Sequence, residues 1–313
     1  MLSQRERSPA SRGLGYALGA YLIWGLVIPL YMKQLSHVPA LELVSHRIVW
    51  ALPFTVLIVW WRGLFGAVAQ VFRTPKHLAI LVLTAAIISV NFGVFTYAII
   101  EGHAIDAALG YYINPLVNVC FGAIFLSERP TRTQSLAIAL ACIAVVILTV
   151  QAGGLPWIAL VLAITFGLYG LLRKVVPVGS IEGFFVELLV LIGPAVVFLL
   201  VLAGRQPSHF TADTSTAILL IVYGPLVAIP MILFTAGAKL LDYSTIGILQ
   251  YVSPTMLFLT AVFVFGEPFS NWQLIAFALI WSAVAIYVGS LLFERRARLR
   301  AERCRLEAEP PVA

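Results

Sequence analysis

Residues 42–54 read ELVSHRIVWALPF and combine the two features from which the fold is inferred. The segment lies in an apolar run long enough to cross a bilayer, yet it carries His46 and Arg47 side by side. Placing an arginine near the middle of a membrane helix costs roughly 2.5–3.5 kcal/mol on insertion scales. Protein or cavity water, and not lipid, is therefore expected around this charge.

Outward from this segment, the whole chain is unusually apolar. Of its 313 residues, 61% are hydrophobic and 11% are charged, whereas a soluble domain is about 25% charged. The apolar residues form ten runs of the length that spans a membrane: 14–33, 41–61, 77–100, 104–126, 133–151, 155–175, 181–203, 215–238, 243–265 and 271–293. The sequence thus predicts an all-α integral membrane protein with ten transmembrane helices.

The lysines and arginines predict the orientation of these spans. Ten spans place both tails on one side, and positive charge favours the cytoplasmic side. With cytoplasmic tails, 17 of the 20 basic residues are cytoplasmic, Arg173 among them. Lys33 and Arg205 fall on the other side and Arg47 lies within the membrane. We therefore expect a multi-pass protein of a bacterial-type inner (plasma) membrane, with residues 1–13 and the basic tail 294–313 in the cytoplasm.

The two halves of the chain resemble each other. Without gaps, residues 95–149 and 234–288 share 12 identities in 55 pairs, including Tyr112/Tyr251 and Pro115/Pro254. Arg47 aligns with Glu187 at an offset of 140. The chain is thus predicted to be two five-helix repeats, 14–151 and 155–293. Because five is odd, the second repeat is inverted, as in many secondary transporters with a site between the halves.

Four segments resemble one known family: YLIWG (21–25), SHRIVW (45–50), AALGYYINPLVNVCFGAIFLSERP (107–130) and STIGILQYVSPTMLFLTAVFVFGEPF (244–269). They are similar to the RarD group, which are EamA-type permeases of the drug/metabolite transporter superfamily. The resemblance covers nearly the whole chain. It implies a ten-helix inner-membrane permease, and it implies no particular substrate.

Arg47 and Glu187 are the two intramembrane charges of greatest interest. From opposite faces, each lies near the seventh position of its span, about 9 Å deep at 1.5 Å per residue. Three interpretations stay open for Arg47: a structural ion pair with Glu187, a cavity-lining role in binding substrate or protons, and snorkelling to an interface. Glu187 is the candidate proton-coupling group, because a desolvated carboxylate titrates nearer to neutral pH.

Further candidate residues for substrate binding are polar or aromatic side chains within the spans. Tyr111, Asn114 and Asn118 recur at helical spacing, which indicates a stripe that either joins helices or lines a cavity. Gln250 and Ser253 match it in the second half. The full set of candidates is Arg47, Trp24, His46, Trp50, Asn91, Tyr111, Asn114, Gln250 and Tyr251. For His46, proton uptake and a hydrogen-bonded packing role are both open.

Two further residue pairs, one of prolines and one of glutamates, recur at equivalent positions in the two halves. Pro115 and Pro254 each follow a tyrosine by three residues and are expected either to be hinges or to form static bends. Glu128 and Glu267 are expected to accept hydrogen bonds from backbone donors at the start of the next helix.

Several classes of function lack their sequence signals. No lysine precedes serine or threonine, so there is no phosphate-binding P-loop, and no hydrolase or haem motif occurs. Three cysteines without Cys-x-x-Cys spacing favour neither a disulfide framework nor a zinc site. We therefore expect no enzyme activity, no cofactor, no metal, no ATP and no nucleic-acid partner.

The leading hypothesis is a secondary-active permease that moves a small organic metabolite or drug by alternating access, with proton coupling left open. Its aromatic and amide residues suit a partly apolar solute, and Arg47 suits a carboxylate on it. A passive channel or a facilitative exchanger is the alternative. Since one chain holds both repeats, a monomer in the bilayer is favoured over a dimer.

Overall fold

The computed structural model describes residues 9–125, 131–152, 155–205, 208–238, 240–241, 249–286 and 289–290. These residues contain helices and connecting turns and no strand. The helices are α1 (Pro9–Leu22), a π-helical segment (Ile23–Val27), α2 (Ile28–Gln34), α3 (Ala40–Trp61), α4 (Phe65–Phe72), α5 (Pro75–Ile100), α6 (Ala104–Phe125), α7 (Arg132–Ala152), α8 (Trp157–Val175), α9 (Ser180–Arg205), α10 (His209–Ala212), α11 (Thr214–Ala238), α12 (Val252–Phe263) and α13 (Asn271–Ile286).

Five of the described helical stretches are long and apolar enough to cross a membrane: Arg12–Gln34, Ala40–Trp61, Pro75–Ile100, Ser180–Arg205 and Thr214–Phe234. Shorter apolar helices accompany them. Many large apolar side chains are exposed, among them Trp61 at 79% and Phe263 at 77%, which suits a surface solvated by lipid. An all-helical membrane protein, as predicted, is therefore the observed fold class.

Helices α3 and α9 pack against each other and run antiparallel. Val59, near the end of α3, lies in one apolar cluster with Val186, near the start of α9. In a second cluster, Val44 from the first turns of α3 packs with Leu188 and Ala195, further along α9. The start of α3 and the start of α9 thus lie at opposite ends of this helix pair, and so do Glu42 and Glu187.

Two more helix pairs, α5 with α8 and α1 with α11, are antiparallel. Tyr97, near the end of α5, lies 5.9 Å (ring centroids) from Trp157 at the start of α8. Gly237, near the end of α11, approaches the start of α1 so closely that a Cβ on it would lie 3.1 Å from the backbone oxygen of Gly13. Small residues allow such backbone contact between membrane helices.

The connection between α3 and α5 contains a short helix. Residues Phe65–Phe72 form the short helix α4. Its Val68 and Val71 are buried in the cluster that holds Val59, Leu81 and Val186. An amphipathic turn of helix covers apolar surface that an open loop would leave exposed.

The helices fall into two compact units, Met1–Pro115 with Trp157–Pro268, and Leu116–Pro156 with Phe269–Ala313. In the second unit, Ala137 and Ala141 of α7 form a buried cluster with Leu116 and Ala283. All candidate site residues with described side chains lie in the first unit.

The acceptor role predicted for Glu267 is confirmed, but the helix is a different one. Its carboxylate oxygens accept hydrogen bonds from the backbone N–H groups of Ala104 (2.8 Å) and Ile105 (2.9 Å). It therefore caps α6 and not the next helix along the chain, because tertiary packing brings the first turn of α6 to the loop after α12. Glu128 lies outside the described residues.

Candidate functional site

Arg47 is buried in the second turn of α3, with 6% of its surface exposed. The carbon at the centre of its guanidinium lies 3.7 Å from the ring centroid of Phe92 on α5, a cation–π contact. Tyr111 of α6 and Tyr223 of α11 lie near enough to interact electrostatically with it. Four helices thus surround this charge, which excludes snorkelling to an interface.

The guanidinium has no carboxylate partner among the described residues. Ion pairs within 4.0 Å join Glu42 to His46 and His209, Asp106 to His103, and Glu187 to Arg173. The structural ion pair between Arg47 and Glu187, one of the three interpretations of the sequence, is therefore not formed. The charge of Arg47 is thus buried without an acidic partner in the described part of the chain.

Tyr111, which interacts electrostatically with Arg47, is hydrogen-bonded to Asn91. The Tyr111 hydroxyl donates to Oδ1 of Asn91 (3.3 Å), while Nδ2 of Asn91 donates to the Leu162 carbonyl (3.1 Å) and to Oγ1 of Thr165 (2.8 Å). Asn91 is fully buried, so its amide fixes the position of the Tyr111 ring. The tyrosine hydroxyl is thereby presented at the site from a rigid support.

Glu187 belongs to a separate cluster at the start of α9. Its carboxylate accepts hydrogen bonds from Oγ1 of Thr84 on α5 (2.7 Å) and from the hydroxyl of Tyr169 on α8 (3.2 Å). Nε of Arg173 lies 3.9 Å from Oε1. One buried carboxylate therefore joins three helices, and any change in its charge acts on all three.

Arg173 lies at the end of α8, and the sequence analysis counted it only among the cytoplasmic basic residues. Its side chain is only 12% exposed. Nη2 donates to the backbone carbonyls of Gly179 and Ser180, both at 3.2 Å. The guanidinium occupies the space where a Cβ on Gly183 would lie, so a larger residue there would displace it.

His46 and Trp50 lie on a different face of α3, beneath the short helix α10. The ring of Phe210 stacks on His46 (5.0 Å between centroids) and on Trp50 (5.9 Å). Both ring nitrogens of His46 and Nε1 of Trp50 are buried without a hydrogen-bond partner. The hydrogen-bonded packing role considered for His46 is therefore not what the structure has.

The remaining candidates occupy other parts of the unit. Trp24 packs with Tyr21 and Phe234, and Asn114 donates to the Ala163 carbonyl (3.0 Å), so Asn114 joins α6 to α8. Tyr251 stacks on Tyr112 (6.4 Å). Gln250 lies in the turn before α12 and is half-buried. The structure therefore brings together Arg47, Asn91 and Tyr111 and disperses the others.

The two prolines differ in their helices. Pro115 lies inside α6, whereas Pro254 lies in the first turn of α12, directly after a turn at Gln250 and Tyr251. Proline is well tolerated in a first helical turn. A hinge role for either residue stays a prediction.

An apolar cleft between α3, α9 and α11 lies away from these charges. It is lined by Thr55, Ile58, Ser180, Ile181, Phe184, Ala228, Met231 and Ile232. No charged side chain lines it. The desolvated cation at Arg47 is a stronger sign of a ligand site than an apolar cleft in a membrane protein.

Several important neighbours were missed by the sequence analysis: Phe92, Tyr223, Thr84, Tyr169, Arg173 and Phe210. The first two face Arg47 from helices far away in sequence, so no local pattern marks them. Gly183 was the one available signal for Arg173. Within the described part of the chain, no group of three His, Cys, Asp or Glu side chains is placed to hold a metal ion.

Comparison with known proteins agrees with this architecture. Residues 11–150 match the family model described as the EamA-like transporter family. The chain is 42% identical over 278 residues to an uncharacterized transporter of Pseudomonas aeruginosa, covering 87% of this chain and 92% of that protein. It is 38% identical to the protein RarD of Escherichia coli, and the match covers 91% of this chain and 96% of that protein.

A solved structure shares the fold. One crystal structure superposes with a TM-score of 0.57 over 91% of this chain and 98% of the other, at 21% sequence identity. At that identity the likeness concerns the fold alone.

Proposed function

This chain belongs to the RarD group of EamA-like transporters, and from that premise we propose that it is a secondary-active permease for a small organic solute that carries a carboxylate. Arg47 binds the carboxylate, and Tyr111, held by Asn91, contacts the rest of the solute. The solute crosses by alternating access, and Glu187 is the group at which protons couple to transport.

The observation that carries this proposal is the buried Arg47 without a carboxylate partner. Burying an unpaired charge is unfavourable, so such a group is retained where it has a function, and intramembrane ionisable residues commonly mark substrate pathways. The Phe92 ring covers one face of the guanidinium. Its planar edge is left for the bidentate contact that arginine makes with carboxylates.

Packing within the larger unit supports an inverted repeat. Helices α3 and α9 are counterparts at an offset of 140 and pack antiparallel. Asn114 and Ser253 are counterparts at an offset of 139. Asn114 contacts Ala163 of α8, and the counterpart of Ala163 at this offset is position 24. Ser253 correspondingly approaches Gly25, the next residue, in the π-helical segment. Such exchanged contacts are expected when a pseudo-two-fold axis lies in the membrane plane.

The Glu187 cluster supports a role in coupling. Its carboxylate accepts two hydroxyl donors and faces Arg173, so adding a proton removes an acceptor and weakens contacts to both α5 and α8. Because α3 and α9 are antiparallel, Arg47 and Glu187 lie toward opposite ends of the pair. We place the Glu187 end at the cytoplasmic side of the inner membrane, together with both termini, and a monomer holds the complete site.

The test is a thermal-shift screen of the purified protein against small carboxylates, each paired with its methyl ester. Carboxylates that bind are expected to raise the melting temperature of the parent protein and their esters are not. Each ligand is then assayed for saturable uptake and counterflow in liposomes, which a passive channel does not support.

Three variants complete the test. Arg47→Ala is expected to lose both the stabilisation by the ligand and the uptake. Arg47→Lys is expected to retain part of each, because an ammonium cannot make the bidentate contact. Arg205→Ala removes an exposed arginine at the end of α9 and is the matched control. Glu187→Gln is expected to bind the ligand but to lose its response to a pH gradient. A ligand that stabilises Arg47→Ala as well as the parent refutes the assignment.

A further inference from the structure

The apolar cleft between α3, α9 and α11 is not used by the proposed transport mechanism. Its walls include Thr55 and Ile58 from the last two turns of α3, Ser180 at the start of α9, and Ile232 from the last two turns of α11. The cleft holds about 270 Å³ including its open side, whereas pockets for whole small molecules hold roughly 300–1,000 Å³. It therefore suits one chain segment better than a complete solute.

The lining of the cleft suits a hydrocarbon chain. Of the eight lining residues, six are apolar and the other two are Thr55 and Ser180. The Thr55 hydroxyl already donates to the Ala51 carbonyl (2.7 Å). Next to the lining residues, Leu57 of α3 and Ile229 of α11 are exposed. The surface around the cleft is thus of the apolar kind that lipid solvates.

Arg62 follows α3 directly and continues the helix face that lines the cleft. Its backbone dihedral angles are still helical (φ −85°, ψ −6°), and its N–H donates to the Ile58 carbonyl (2.9 Å). Residues four and seven positions apart share a helix face, so the face of Thr55 and Ile58 leads to Arg62. Because Arg62 is exposed, a cation stands at the end of the apolar cleft.

No acidic side chain neutralises Arg62 in the part of the chain that the structure describes. It takes part in none of the ion pairs within 4.0 Å, and residues 43–100 contain neither aspartate nor glutamate. Glu182 lies in the first turn of α9, but its carboxylate lies against Gly179. Two residues after Ser180, it is on the opposite side of α9 from the cleft wall. The charge of Arg62 is thus open to an external anion.

Trp60 and Trp61 indicate that this end of α3 lies at a membrane interface. Both side chains are largely exposed, at 66% and 79%, and tryptophan rings concentrate at the headgroup level of a bilayer. Arg62, the next residue, is then level with the lipid phosphates. Thr55 lies about 10 Å deeper at 1.5 Å per residue, among the acyl chains.

We propose that the cleft binds one anionic phospholipid, with an acyl chain between α3, α9 and α11 and its phosphate on Arg62. A guanidinium binds phosphate oxygens through paired, charge-assisted hydrogen bonds. A zwitterionic headgroup also brings a cation, for which no acidic side chain stands beside Arg62, so the site favours a headgroup with net negative charge. The inference depends neither on the identity of the cargo nor on the role of Glu187.

The experiment counts bound lipids by native mass spectrometry of the purified full-length protein in detergent. Phosphatidylglycerol and phosphatidylcholine with identical acyl chains are added in equal amounts. The measured quantity is the ratio of the two lipids in the complex that holds one lipid. The parent is expected to prefer phosphatidylglycerol by about fivefold or more, the effect of one lysine or arginine near an anionic membrane surface.

Three variants separate the headgroup from the acyl chain. Arg62→Gln is expected to bring the ratio close to one. Arg73→Gln is the matched control and should keep the ratio of the parent, because it removes an exposed arginine after α4, which forms no wall of the cleft. Ile232→Trp fills the cleft and should reduce the complexes with both lipids severalfold. Met231→Trp fills the same space from the adjacent position and replaces it if Ile232→Trp does not elute as a monodisperse protein.

Each contrary result overturns the proposal. Equal binding of the two lipids by the parent, or an unchanged ratio in Arg62→Gln, shows that Arg62 selects no headgroup. An equal fall in Arg73→Gln shows a general attraction to basic surface. Undiminished lipid binding in the tryptophan variants shows that no acyl chain lies in the cleft. Displacement of phosphatidylglycerol by glycerol phosphate at equal concentration shows a site for a free phosphate instead of a lipid.

Discussion

Replacing Arg47 with methionine is expected to stabilise the unliganded protein while abolishing its transport. The substitution keeps an unbranched side chain over Phe92 but removes the buried charge. Most core substitutions destabilise a protein, so the predicted gain is a demanding test. It follows from the lack of any carboxylate partner for Arg47 in the described structure.

The magnitude follows from two opposing terms. An arginine near the centre of a membrane helix costs about 2.5–3.5 kcal/mol on insertion scales. The contact with Phe92, at 3.7 Å from guanidinium carbon to ring centroid, returns about 1–2 kcal/mol as a desolvated cation–π pair. The substitution removes both the burial cost and the cation–π contact, so the free energy of unfolding is expected to rise by about 0.5–2.5 kcal/mol. A methionine sulfur near the same ring adds a few tenths of a kcal/mol or more.

The assay is thermal unfolding in detergent, followed by the fraction of protein that remains monodisperse on size exclusion, together with uptake in liposomes. By the scaling of soluble proteins, this gain raises the melting temperature by roughly 1–10 °C. Arg205→Met removes an exposed arginine and is expected to change neither stability nor uptake.

A loss of stability on Arg47→Met would refute the reasoning. It would mean that Arg47 has a structural partner, so that the substitution leaves a buried group unpaired. Retained uptake by a stabilised Arg47→Met would contradict the assignment of Arg47 as the carboxylate-binding residue, even with the energetics correct.

Three further predictions concern stability, each measured by thermal unfolding. Gly183→Ala displaces the guanidinium of Arg173, whose atoms occupy the site of the new methyl group, and should cost about 1–3 kcal/mol. Glu267→Ala removes the acceptor for two N–H groups at the start of α6 and should cost about 0.5–2 kcal/mol. Hydrogen bonds, the strongest from Ser215, lower the pKa of Asp213 to about 2. Its contribution to stability is therefore complete above the unfolded pKa of 3.8 and is lost as the pH falls toward 2.

The first and the last of these predictions each have a further variant as a check. Gly170→Ala in α8, where a Cβ would meet no other group within 4 Å, should be neutral or slightly stabilising, because alanine has a higher helix propensity than glycine. An equal loss in both glycine variants would point to a general effect of added volume. Asp213→Ala should remove the acid-dependent step, and if that step persists it arises from another carboxylate.

Sequence patterns were sufficient for features that depend on local chemistry. Long apolar runs predicted the membrane helices, and the observed helices α3 (Ala40–Trp61) and α5 (Pro75–Ile100) match spans predicted at 41–61 and 77–100. The same argument singled out Arg47, because the unfavourable burial of an arginine can be recognised without knowing its neighbours. Family membership was likewise readable from motifs and is confirmed by the relatives of the chain.

Patterns failed where the partner of a side chain comes from a distant helix. Arg47 and Glu187 were considered as a pair because they align between the halves. In the structure, Arg47 instead contacts Phe92 and Glu187 contacts Arg173. Glu267 was expected to cap the next helix and caps α6 instead. In each case the partner lies on another helix, and the rotation of that helix about its axis is not specified by the sequence pattern.

The sequence by itself determined that the chain is a helical membrane protein of a transporter family with a charge buried at Arg47, since hydrophobicity and charge are properties of each residue along the chain. Only the tertiary structure decided which groups meet: Phe92 on Arg47, three helices at Glu187, and Phe210 on His46. Contacts between helices depend on rotation about each helix axis and on close packing at small residues, and a one-dimensional pattern specifies neither.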